Sequence, residues 1–399
     1  MNVERDIAGF ALPFAVGVLL AAYAGAIFCG QSSHIHIIAL LVIFIAIILL
    51  WQRKIYDFGT SIRWALICTL AFSCGILSAT TAMSLFDLPQ SPLETFCSII
   101  GSRLQDLIDK IPFKSENISA LIKALLTGEK GDLSSGIKTT FRDSGASHIL
   151  ALSGLHLGII YGILSKTLIL LGNCRAIRII RSILIICLCG LYTLATGAGD
   201  SLVRALIFIT LREVAKITCR YHGLGQILLA SLVIQLVIDP LSIRSISFQL
   251  SYAAMAGIAF IYPWLQGIWD RAGNILHSQA SKDTSSTTQQ TELLSHAGRM
   301  VNGVGMMVNK AIRWIWNTVA LSIACQLTTA PLAYIYFGTF PMHFMLTNLL
   351  TLPLTGILIP TALLTLCLST LGCCPHFLIQ ITEWLTNTLI QVLSIISSM

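Results

Sequence analysis

The sequence predicts an all-α polytopic membrane protein, with about eleven transmembrane helices, some broken or re-entrant, around a polar interior. Three features predict it. Of 399 residues, 55% are hydrophobic and only 11% charged, against about 25% charged in ordinary soluble domains. The apolar stretches are long and unbroken rather than short and alternating. That favours helices over a closed barrel, the other structure that satisfies its own backbone in lipid. Polar residues interrupt the apolar stretches at only a few places, and in lipid such groups face a bundle interior or a watery cavity.

In order, the spans are read at 7–29, 34–51, 62–86, 148–171, 177–197, 201–219, 224–239, 250–269, 313–336, 343–371 and 376–397. The first carries an apolar part of about 22 residues, long enough to span, and is read as an uncleaved helix rather than a signal peptide. The stretch 343–371 holds Pro353 and Pro360. It is read as a re-entrant piece plus a helix, or as two short helices. Basic residues fall on alternate loops: Arg53, Lys54 and Arg63, then Arg175, Arg178 and Arg181, then Arg212, Lys216 and Arg220, then Arg271 to Arg313. That pattern places the N-terminus in the cytoplasm and accounts for much of the net charge of +7. The twelve cysteines include no C-x-x-C pair and mostly sit in apolar runs, so they read as small hydrophobes. No nucleotide, dinucleotide or zinc-protease motif is found, and His34-Ile35-His36 lacks the acid and third His a metal site needs. No metal and no cofactor are expected.

Two stretches are read outside the membrane. Residues 87–147 begin with apolar positions 93, 96, 99, 100, 104, 107, 108 and 111, the period of an amphipathic surface helix. Short helices with Gly breaks follow it. Residues 277–292 are polar and read as a disordered cytoplasmic linker. The organisation expected is N-terminal transmembrane helices over 1–86, an extracytoplasmic amphipathic linker over 87–117, a membrane domain with a polar interior over 118–371, and a C-terminal transmembrane helix over 372–399.

The candidate functional residues are the polar groups inside apolar runs. In "SHILALSGLHLGII", His148, Leu152 and His156 are spaced i, i+4, i+8, so one helix would carry both histidines on one face, with Ser153 beside them. Gly154 and Gly158 are spaced for close helix approach. Arg142 and Asp143 precede this run at its outer mouth. In "ATGAGDSLVRA", Gly197 and Gly199 break the chain, and Asp200 or Ser201 is expected to cap the next helix. Asp200 is spaced to hold Arg204, whereas Arg212 and Glu213 read as interfacial. Gln249 lies among Ser242, Ser245, Ser247 and Ser251, near Arg244. Gln326, Thr328 and Thr329 precede Pro331, where a kink is expected, and Asn348 stands in an apolar run. Arg142, Arg204 and Arg244 fall on the outer side, and Tyr161, Tyr192, Tyr252 and Tyr334 lie in or beside these runs; plain packing is the simpler reading of any one ring, and the charge alone does not imply a nucleic-acid partner.

The run "ALLTGEKGDLSSGIKTTFRDSGASHILALSGLHLGII" resembles the signature of ComEC-type competence proteins. "TGAGDSLVRA", "DPLSIRSISFQLSYAAMAG" and "ACQLTTAPLAYIYFGTFPMHFMLTNLLTLPL" fit the family in the same order, so the resemblance covers roughly residues 118–360. It implies a channel in the bacterial inner membrane that conducts single-stranded DNA into the cytoplasm during natural transformation, and not an enzyme. It implies as partners the DNA strand, membrane lipid, a periplasmic DNA-binding receptor, a cytoplasmic ATPase or helicase, and further copies of the chain. Asp143, Gly145, His148, Ser153, Gly154, His156, Ser201, Arg204, Gln249, Gln326, Pro331 and Asn348 match the family's motif positions. Two departures stand out. Residues 87–117 are too few for the family's OB-like domain, and no metallo-β-lactamase-like domain follows the last helix, so nuclease activity is not expected. Two alternatives remain: an intramembrane hydrolase using Ser153 and His156 with Asp143 or Asp200, and a small-solute transporter.

Overall fold

A computed structural model describes residues 3–24, 32–51, 60–84, 92–150, 152–172, 174–218, 223–268, 294–337 and 344–398. Among them every regular element is helical. The linker expected at 277–292 lies outside the described residues.

Helices α1 (Val3–Ala24), α2 (Ser32–Trp51) and α3 (Thr60–Ser84) open the chain. α1 and α3 cross backbone to backbone, because Gly17 lies on the Phe72 carbonyl and Gly75 on the Phe14 carbonyl. No side chain fits at either position. Lipid offers no hydrophobic drive between helices, so close packing through small residues takes its place.

The next four helices are α4 (Pro92–Asp109), α5 (Glu116–Thr127), α6 (Ser135–Asp143) and α7 (Ser147–Leu150). α4 has the expected amphipathic pattern, but it does not lie free on a surface. Its Ile108, with Ile111 just beyond it, is buried against α5 and against the last two helices of the chain. α5 is buried nearly all round, from Ile118 to Thr127. It ends at Gly128, whose φ of +81° favours glycine, and a Cβ there would come within 2.6 Å of the Leu152 side chain. α6 ends in the same manner at Gly145, with the Ala146 amide donating to the Phe141 carbonyl at 2.8 Å.

The span expected at 148–171 is not one helix. α7 stops at Leu150, and α8 starts afresh at Gly154 and runs to Thr167, followed by a 3-10 turn, Leu168–Leu171. Ser153 is extended (φ −123°, ψ 167°) and caps α8. Its amide donates to His156 Nδ1 at 3.4 Å, so the two histidines do not share a continuous helical face. α9 (Arg175–Ala195), α10 (Asp200–Ile217) and α11 (Leu224–Ile238) follow. A 3-10 turn, Pro240–Arg244, then leads into α12 (Ile246–Ala256), which continues through a π-helical turn, Gly257–Ile261, as far as Ile268. Gly257 in that turn touches the backbone of the next helix at Ala324.

The last helices are α13 (Leu294–Phe337), α14 (Phe344–Thr370) and α15 (His376–Ser397). α14 is a single helix holding both Pro353 and Pro360, where sequence suggested a re-entrant piece or two short helices. Each proline removes one ladder bond, but a full break in an apolar setting would strand several carbonyls, and the helix runs on through both. Pro331 likewise lies inside α13. Buried Thr347, Thr351, Thr355 and Thr365 line one side of α14, and Thr365 meets Thr382 of α15 at 3.0 Å. Among the described residues, six helical stretches are long and apolar enough to cross a membrane, and three more are apolar but shorter. α10 and α15, both read as spans from sequence, are in neither group.

Candidate functional site

Three polar clusters lie around α8 and α10, made mostly of buried residues, although His148 in the first is exposed. The first lies where α7, α8 and α14 meet. His148 Nδ1 donates to the Gly145 carbonyl at 3.1 Å, and its side chain is hydrogen-bonded to Asn348. Asn348 Oδ1 has no partner, so its amide nitrogen makes that bond. Thr347, the neighbour of Asn348, donates to the Ser144 carbonyl at 2.6 Å and ties α14 to the turn before α7. His156 is fully buried and close enough to His148 for their charges to interact. Its Nδ1 accepts from Ser153, whose Oγ is 3.2 Å away, which leaves the proton on Nε2. That nitrogen is buried and unpartnered.

The second place is the amino end of α10. The Gly197–Gly199 break puts Gly199, not Asp200 or Ser201, at the cap position. Ser201 is thereby free to face Arg204. Arg204 is 1% exposed. Its Nη2 donates to Ser201 Oγ, Ser247 Oγ and the Ser247 carbonyl, each at 2.9 Å. Its guanidinium lies 5.9 Å from the Phe248 ring centroid. Asp200 makes no ion pair with it among the described residues; serines hold the arginine instead. Nε and Nη1 of Arg204 are buried without partners.

The third place is two turns further along α10. Glu213, 1% exposed, accepts from Tyr161 Oη at 2.7 Å, Ser182 Oγ at 2.7 Å and Lys216 Nζ at 2.6 Å. Lys216 also donates to Tyr161 Oη at 2.8 Å, and Arg212 stacks 5.8 Å from that ring. Glu213 and Ser182 were not recognised from sequence, where Glu213 reads as interfacial. The available signal was an acid inside an otherwise apolar run; its partners on α8 and α9 left none.

A cavity of about 780 Å³ joins the second place to the third. It lies between α8, α10, α11 and α12, and exists because small residues line it. Gly158 has nothing within 4 Å of where a Cβ would stand, whereas Gly154 meets Ala205 at 3.3 Å. Of the pair expected to admit a neighbouring helix, one glycine therefore makes a contact and the other a void.

The remaining candidates are dispersed. Arg142 and Asp143 are exposed and pair with each other at 3.2 Å. The Gln249 amide is engaged by Tyr336 Oη (2.7 Å), the Ile243 carbonyl (2.9 Å) and Tyr23 Oη (3.4 Å), which makes it a tie between α1, α12 and α13. Gln326 is half-buried on α13, and no described contact joins it to the other candidates. Tyr192 donates to the Leu126 carbonyl, Tyr252 packs on Phe248, and Tyr334 is exposed. The Ser153–His156 contact has no acid to complete it, since neither Asp143 nor Asp200 bonds His156 among the described contacts.

Comparison with known proteins places these residues. The chain is 28% identical over 184 residues to "Uncharacterized protein YcaI" of Escherichia coli (strain K12), covering 44% of this chain and 24% of that one. It is 28% identical over 135 residues to "ComE operon protein 3" of Bacillus subtilis (strain 168), covering 34% of this chain and 17% of that one. The chain thus spans about a quarter or less of the curated relatives it matches. No solved structure matches it. The family model described as "Competence protein" matches residues 125–399, which takes in all three polar clusters. The chain belongs to the Competence protein family.

Proposed function

We propose that this chain forms a channel, in the bacterial inner membrane, that conducts single-stranded DNA into the cytoplasm during natural transformation. Membership of the Competence protein family supports a role in DNA uptake. The observation that carries the finer reading is the meeting of His148, Ser153, His156 and Asn348. These residues come from two distant parts of the matched region, and they leave Nε2 of His156 and Oδ1 of Asn348 buried and unspent. Buried polar atoms without partners are rare and mark ligand or water contacts. A strand passing these groups would supply the partners they lack. A periplasmic DNA-binding receptor would deliver the strand, a cytoplasmic ATPase or helicase would draw it in, and copies of the chain would complete the pore. The Ser153–His156 contact at 3.2 Å is what a hydrolase reading would rest on. Helix capping accounts for it without chemistry.

The test compares arrival of labelled DNA in the cytoplasm for wild type, deletion, and deletion complemented with His156→Ala or Arg204→Ala. Loss of arrival with surface binding intact, at normal protein levels, supports the channel. Normal arrival in the deletion strain removes it. A hydrolysis abolished by Ser153→Ala would put the hydrolase in its place.

A further inference from the structure

The cavity beside α10 has a composition unlike a path for DNA. Its walls are aliphatic, with Leu155, Ile159, Ile209, Leu228 and Ile258 among them. A polyanionic strand needs cations at repeated intervals and rings for its bases. The cavity offers one buried cation, Arg204. Its ring, Tyr161, is already used by Glu213, Arg212 and Lys216. The cavity opens sideways, since Leu155, Gly158 and Leu224 on its rim are exposed. Its volume falls in the ordinary range for small-ligand sites, about 300–1,000 Å³.

We propose that this cavity binds an anionic phospholipid, with the phosphate on Arg204 and one acyl chain along the groove towards Tyr161. Two features carry it. Arg204 is among the residues that line the cavity, and its Nε and Nη1 are buried without partners while Nη2 is fixed by Ser201 and Ser247. A held guanidinium with spare donors is a phosphate receptor. The distance also fits: from Arg204 to Arg212, α10 rises about 12 Å, close to one leaflet's hydrocarbon depth of roughly 15 Å. The aliphatic wall then faces a chain instead of water, and the buried charge gains an anion. This inference does not depend on what the chain transports.

The test uses the full chain purified in mild detergent. Native mass spectrometry counts retained phosphatidylglycerol against phosphatidylcholine of the same acyl chains. Separate arms add inorganic phosphate and an oligothymidine strand. The expected result is preferential retention of one phosphatidylglycerol. Arg204→Gln should reduce occupancy about tenfold, the scale of a lost charge-assisted hydrogen bond. Gly158→Leu should do the same by filling the groove. It also leaves every described hydrogen bond in place, because nothing lies within 4 Å of a Cβ at that position and leucine favours helix. Equal retention of both lipids, or occupancy unchanged in Gly158→Leu, overturns the proposal. Displacement by inorganic phosphate would make it a free-anion site, and displacement by the oligothymidine would return the cavity to the strand path. Either result overturns the lipid assignment.

Discussion

Arg204 and Glu213 lie on one helix, and each is 1% exposed, but they are partnered very differently. Both carboxylate oxygens of Glu213 are met by neighbours from α8, α9 and its own helix. Arg204 has one nitrogen fixed and two left over. Burying a charge is costly, and the cost is recovered only when its partners are complete. The Glu213 end is therefore scaffold, closed on itself. At the Arg204 end two buried donors stay without partners. The difference shows that equal depth of burial can go with very different hydrogen-bond satisfaction.

The comparison can be broken from either side. The largest effect should come from Glu213→Ala, which strands Lys216 and the hydroxyls of Tyr161 and Ser182. We expect a loss of about 3 kcal/mol, read from unfolding in detergent; a loss below about 1 kcal/mol would deny the scaffold role. Ser182→Ala removes one donor to a charged acceptor and should cost about 2 kcal/mol. Ser153→Ala should cost about 1 kcal/mol, with faster amide exchange confined to the first turn of α8. Arg204→Met should change stability by less than about 1 kcal/mol, because lost bonds are offset by removal of a half-paired buried charge. A loss as large as that of Glu213→Ala would erase the contrast between the two ends.

The smallest effect is a pH dependence outside the spanning helices. Lys123 bridges Asp109 at 2.8 Å and Asp132 at 2.7 Å. Burial alone would lower the Lys123 ammonium, but hydrogen bonds and charge from both acids outweigh it and hold it above its ordinary 10.5. The hydrogen bond and charge of Lys123 hold the Asp132 carboxyl below its ordinary 3.8. The bridge should thus stabilise fully between those values. It should weaken as acid passes below 3.8 through the lower folded value, or as base passes above 10.5 through the higher one. Asp132→Asn should flatten the acid limb of the unfolding midpoint, and an unaltered limb would show that the bridge is not formed.

Much of the helical layout was legible, because long apolar runs leave the backbone few alternatives in lipid. The break at Ser153 was not. The i, i+4 spacing of His148, Leu152 and His156 persists across it, and spacing alone cannot reveal that the helix restarts. The two histidines do come close, but through Asn348 of α14 and the cap at Ser153 rather than through a shared face. Asp200 looked like the holder of Arg204 because it was four residues away; Ser247, on another helix, does more. Glu213 was misread for the same reason, since its partners Tyr161 and Ser182 are distant in sequence. Local pattern reports position along one helix, whereas these sites are made between helices.

Gly154 lies against Ala205, and Tyr161 bonds Glu213, so α8 and α10 run side by side in the same direction. Their peptide dipoles therefore add rather than cancel. Each amino end carries roughly half a positive charge, and each carboxyl end the opposite. Arg212 and Lys216 neutralise the carboxyl end of α10, but at its amino end only exposed Asp200 opposes the field. The break before each helix thus gives this part of the protein a standing electrical polarity. An anion reaching the amino ends meets the summed field of two aligned backbones, with the Asp200 carboxylate set against it.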